Sequence, residues 1–91
     1  MICDRKRGSM ALKVEVFEAV QRERRYQDRK HGTLNVHGHS VAEWLFLVED
    51  RLAKAKKAWV MNGDTKALEE MLTIVATGVA CLEQHGIVER N

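Results

Sequence analysis

The chain has 91 residues, 45% of them hydrophobic and 31% charged, with no proline, two cysteines and a formal net charge of +2. That length holds one core rather than two, and the balance excludes both a disordered chain and a dedicated nucleic-acid coat, so nucleic acid is an unlikely partner. No uninterrupted apolar run exceeds five residues, as at Gly78 to Leu82, which excludes a membrane-spanning helix. The N-terminal stretch Met1-Ile2-Cys3-Asp4-Arg5-Lys6-Arg7 lacks an apolar signal core, and Cys3 and Cys81 form no framework. These features predict a cytoplasmic protein with two free thiols.

Residues 1–9 read as a flexible basic tail, and residues 10–91 as a single helical domain with helices at about 11–31, 41–61 and 65–85. Ser9 is the expected cap of the first helix, whose apolar stripe is Leu12, Val16, Phe17 and Val20. From Gln21 to Lys30 only Tyr26 is apolar, and five of the ten residues are Arg or Lys. His31-Gly32 ends the helix, and residues 32–39 read as a loop. Ser40-Val41-Ala42-Glu43 is a capping box, in which hydroxyl and carboxylate satisfy each other's backbone amides.

The second helix carries a heptad seam of Val41, Leu45, Val48, Leu52, Ala55 and Trp59. Asn62-Gly63 breaks the chain, and Asp64 or Thr65 is expected to cap the third helix. Its seam is Leu68, Leu72, Val75, Val79 and Leu82, with Met71, Ile74, Gly78 and Cys81 on a second face. Between Met71 and Leu82 the only polar residues are Thr73 and Thr77, so this helix expects burial nearly all round. Three helices of about twenty residues cannot surround one of their own number. The fold expected is therefore an all-α, three-helix antiparallel unit, completed into a bundle as a homodimer or homotetramer through the second and third helices. A monomeric three-helix bundle is the alternative.

Three groups of side chains suggest chemistry. Glu49 and Asp50 lie mid-way along the second helix and Glu70 early in the third, where facing carboxylates suit a hard divalent cation such as Mg²⁺. Solvated carboxylates paired with Lys54, Lys66 or Arg51 account for the same residues. His37-x-His39 offers two nitrogens to a transition metal, although hydrogen-bonding loop histidines, with His39 packed on Trp44, fit as well. Arg22, Arg25 and Arg29 share a helix face, with Lys30 next in the chain, and guanidiniums bind phosphate bidentately. Ion pairing along the helix competes with that reading. The sequence contains no phosphate-binding glycine loop and no local Ser-His-acid signature.

Three segments together resemble small phage and mobile-element proteins related to the MazG-like, all-α nucleoside triphosphate pyrophosphohydrolases. They are Glu23-Arg24-Arg25-Tyr26-Gln27-Asp28-Arg29-Lys30-His31-Gly32, His39-Ser40-Val41-Ala42-Glu43-Trp44-Leu45 and Ala80-Cys81-Leu82-Glu83-Gln84-His85-Gly86. The resemblance spans about residues 12–88. It implies a helical core assembled through dimers or tetramers, and Mg²⁺-dependent cleavage of a nucleoside triphosphate to monophosphate and pyrophosphate. It also implies acids at ExxE on one helix and ExxD on the next, because Mg²⁺ ions bridging a triphosphate need several carboxylates. Here Arg51 and Lys54 stand where acids belong, and Thr73 takes the place of the aspartate in Glu70-Met71-Leu72-Thr73. Cations there reverse the local field, which suits direct binding of an anion without metal.

The function expected is that of a MazG-related protein binding a nucleotide or other phosphate-bearing ligand, with pyrophosphohydrolase activity reduced or lost. Arg25, Arg29 and Lys30 are the candidates for phosphate, Trp44 for a base, and Glu49, Asp50 and Glu70 for residual Mg²⁺. An active pyrophosphohydrolase using Glu43 with those three acids is one alternative. A non-catalytic, oligomeric interaction module is the other.

Overall fold

The computed structural model describes residues 10–90, so the predicted tail, Cys3 and the proposed Ser9 cap lie outside the described residues. The architecture is all-helical: α1 (Lys13–His31), α2 (Leu34–His37), α3 (Val41–Asn62) and α4 (Asp64–His85), with no strand among the described residues. The three long helices stand within two residues of their predicted ends. The predicted 32–39 loop contains a further element, the single turn α2. Its first carbonyl, that of Thr33, accepts from the amides of Val36 and His37. One turn is too short to show an apolar period, which is why the spacing of residues missed it.

Local chemistry sets the ends. α1 starts at Lys13, and the Leu12 amide donates to the Glu15 carboxylate at 2.9 Å. α3 starts with the predicted box: the Glu43 amide donates to the Ser40 hydroxyl at 3.1 Å, and the Ser40 amide donates to the Glu43 carboxylate at 2.8 Å. Neither Asp64 nor Thr65 caps α4. Gly63 fills that position, and the Asp64 carboxylate instead accepts the Trp59 indole N–H at 2.9 Å. Gly63 is thus the whole connection between two helices of 22 residues each. Its φ of +87° is closed to most L-residues, yet a Cβ there would meet nothing within 4 Å. The requirement for glycine comes from backbone conformation, not from space.

The Glu43 carboxyl is held below its ordinary value of 4.5 by hydrogen bonds from the Ser40 backbone and side chain. A carboxyl lowered on folding adds stability above its ordinary range and loses it as pH falls through the lowered value. Acidification from neutrality to about pH 3 should therefore lower the melting temperature less in Glu43→Gln than in the native chain. Equal drops in thermal melts of the two proteins would show that the carboxylate contributes nothing.

α4 is the central helix. It packs extensively against α3 and less extensively against α1. The buried apolar residues are Val20, Trp44, Ala55, Ala76 and Ala80. Buried Thr77 satisfies its hydroxyl on the Thr73 carbonyl at 2.8 Å. The predicted seams are not the core of the single chain. Val20 and Ala55 are buried, but Leu45 is 63% exposed, Trp59 56% and Leu68 67%. The physical reason is the choice of face: α4 turns Ala76, Thr77 and Ala80 toward its neighbours, keeps Leu72, Ile74 and Val79 half-buried, and leaves Leu68, Met71, Val75 and Leu82 outside.

Candidate functional site

A cleft of about 670 Å³ opens between the C-terminal half of α1, α2, the first half of α3 and the middle of α4. That volume falls in the range of small-molecule sites. Leu34, Val36 and Leu47 give it apolar wall, and Arg24, Lys30 and Arg51 bring cationic side chains to it. The imidazoles of His31, His37 and His39 border it as well. Asp28 is the sole carboxylate among the lining residues.

The cations differ in what they already hold. Arg24 is buried and satisfied. Its guanidinium donates to both Glu83 oxygens at 2.8 and 3.1 Å and to Gln27 at 3.3 Å, and it pairs with Asp28 at 3.1 Å. These partners, Glu83 above all, raise its pKa. Arg24 therefore ties α1 to α4 and adds little free positive charge to the cleft. Lys30 stands over the Tyr26 ring, 5.8 Å from its centroid. Arg51 is different: its Nε is buried without a hydrogen-bond partner. A guanidinium N–H in that state carries a desolvation cost, and Arg51 brings its positive charge to the cleft lining.

One end of the cleft is built around Gln84. Its side-chain oxygen accepts from the Trp44 indole N–H at 2.8 Å and from the His39 amide at 3.0 Å. The His39 ring meets Trp44 edge-on, with centroids 4.8 Å apart. Nε2 of His85 lies 2.7 Å from the His39 carbonyl oxygen. These contacts clamp the loop before α3 onto the end of α4. Gly32 also borders the cleft, and its φ of +92° is what calls for glycine there, since the exposed His37 imidazole that a Cβ would meet can move aside.

The predicted ligand residues divide. Lys30 and Trp44 line the cleft. Trp44 is only 7% exposed, so it forms wall rather than an open stacking face. Arg25 and Arg29 are exposed and do not line it. Of the predicted metal ligands, Glu49 and Asp50 are exposed and Glu70 is half-buried. Asp50 pairs with Lys54 at 3.5 Å, and none of the three acids lines the cleft. No group of three or more His, Cys, Asp or Glu positioned for a metal ion occurs among the described residues. No helix among them is long and apolar enough to cross a membrane.

Sequence reasoning gave Gln84 no role at a site, and counted Arg24 only among the arginines of a basic stretch and His31 only among the histidines. Arg51 carried a signal, because it is a cation in a segment where the resembling family has acids. The chain matches no protein-family model, no curated protein and no solved structure.

Proposed function

We propose that this chain is a MazG-related protein that holds a nucleotide or other phosphate-bearing ligand in the cleft, with pyrophosphohydrolase activity reduced or lost. The observation that carries the reading is the buried, unpartnered Nε of Arg51 on the cleft wall. Lys30 adds a second cation, while the charge of Arg24 is already met by Glu83 and Asp28. An acceptor bearing several oxygens answers such a wall, and a guanidinium holds phosphate with directed, charge-assisted hydrogen bonds. The apolar wall at Leu34, Val36 and Leu47 suits the less polar part of the same ligand. Reduced hydrolysis accords with Glu49, Asp50 and Glu70 lying away from the cleft lining.

Calorimetry with ATP, AMP and inorganic phosphate, each with Mg²⁺ and with EDTA, tests this. The native chain should bind at least one of them in EDTA. Arg51→Gln should weaken that binding roughly tenfold to a hundredfold, the effect of losing a hydrogen bond to a charged group. Failure of all three to bind under either condition refutes the reading. Mg²⁺-dependent pyrophosphate release that disappears in Glu70→Ala would establish an active pyrophosphohydrolase instead.

A further inference from the structure

The charge of the cleft can be counted group by group. Arg24, Lys30 and Arg51 bring three positive charges to its lining, and Asp28 brings one negative charge. Glu83 adds a second negative charge through Arg24, whose guanidinium donates to it at 2.8 and 3.1 Å. With the imidazoles neutral, three cations against two carboxylates leave a net of +1. That charge is unevenly placed. Arg24 stands between Asp28 and Glu83, so the trio it forms with them is net negative. Lys30 and Arg51 enter no ion pair among the described residues. The cleft thus offers two unpaired cations, one from α1 and one from α3, beside a side that is anionic.

On the reading of the cleft as a phosphate site, we infer that its ligand is a phosphomonoester, carrying a single phosphoryl group, and that a triphosphate chain is disfavoured. A monoester phosphate carries close to two negative charges at neutral pH and three acceptor oxygens. Two unpaired cations match it. A triphosphate brings two further phosphoryl groups, which add negative charge where the lining has no further unpaired cation. The cleft volume of about 670 Å³ and the apolar wall at Leu34, Val36 and Leu47 leave room for the organic body of the ester.

Asp28 acts against the longer chain. Its side chain is 38% exposed, so Arg24 does not hide its carboxylate from the cleft. Like charges brought together in a partly desolvated site repel far more strongly than in water. A Mg²⁺ ion could offset the charge of a triphosphate, but it takes oxygen ligands. Asp28 is the one carboxylate among the described lining residues, and Arg24 already holds it. The lining residues therefore do not fit that ion. The same carboxylate that ties down Arg24 sets a limit on how much anionic charge the cleft accepts.

Calorimetry in EDTA at pH 8 tests this on two pairs of probes, AMP against ATP and orthophosphate against tripolyphosphate. Within each pair that gives binding, the shorter member should bind about tenfold tighter, since an opposed like charge at a binding surface costs at least that much. Asp28→Asn removes the lining carboxylate and leaves Glu83 on Arg24. It should narrow the gap about threefold, by strengthening the longer member more than the shorter. In either pair, a longer member that binds as tightly as the shorter, or more tightly, overturns the inference and leaves phosphate binding in place. A folded Asp28→Asn chain with an unchanged gap overturns it as well. Failure of all four probes to bind overturns the phosphate reading itself, and the inference with it. If the variant unfolds, the two comparisons on the native chain decide.

Discussion

Trp44→Ala should destabilise the chain by about 3–5 kcal/mol, the range for removing a buried tryptophan. Trp44 is the largest side chain in a core whose other apolar members are one valine and three alanines, so little around it can close the gap. The substitution also removes the indole N–H from Gln84 and the edge-on contact from His39. Domains of this length are stabilised by only about 5–10 kcal/mol in total, so the loss takes a large share. Urea unfolding followed by helical circular dichroism measures it. Trp44→Phe keeps the ring and loses only the hydrogen bond, and should cost about 1 kcal/mol from that source plus a smaller packing term. If alanine costs no more than phenylalanine, Trp44 does not fill the core as described.

The second large effect is expected at Glu83. Removing one partner of a buried ion pair costs more than the pair contributes, because it strands the other charge. Arg24 has a side chain 8% exposed and donates to both Glu83 oxygens. Glu83 itself is 46% exposed and Asp28 remains beside Arg24, so Glu83→Ala should cost about 2 kcal/mol rather than the full cost of a stranded charge. The paired change Arg24→Met/Glu83→Leu should cost less than Glu83→Ala alone, since no charge is then left uncompensated. Unfolding free energies of the two proteins in the same denaturant series decide this. A paired change that costs more would mean that Arg24 contributes through its packing.

What was legible in the sequence followed the range of the interactions involved. The Ser40 box closes over four residues, and Gly32, Gly63 and Gly86 mark helix ends in their own neighbourhood, so the long helices were readable almost to the residue. Burial was not. Trp44-Leu45-Phe46-Leu47-Val48 is apolar at five consecutive positions, so it offers every face of a helix and spacing cannot choose among them. The choice is made by Gln84 on α4, which gives the Trp44 N–H an acceptor while Leu45 stays outside. Heptad spacing marked Leu45, Leu52, Trp59, Leu68, Val75 and Leu82 as core positions, and the structure leaves them exposed, because spacing shows that residues share a stripe and not that the chain buries it. Arg24 was one arginine among several in its helix, because its partner is 59 residues away. Arg51 stood out by substitution, as a cation where the resemblance implied an acid, and it is the residue left unpaired on the cleft wall.

The one-residue joint at Gly63 also orders events in time. Loop-closure entropy grows with loop length, and α3 and α4 meet over the shortest connection in the chain. The Arg24–Glu83 contact must close a segment of 59 residues and gains its partner on α4 only once that helix is in place. The hairpin is thus expected to form early and α1 to dock late. Opening from the native state runs in reverse, with the less extensively packed α1 leaving first. The cleft loses Lys30 and one wall in that step, while α3 and α4 stay packed. A ligand held in the cleft would therefore depend on the docking of a single helix.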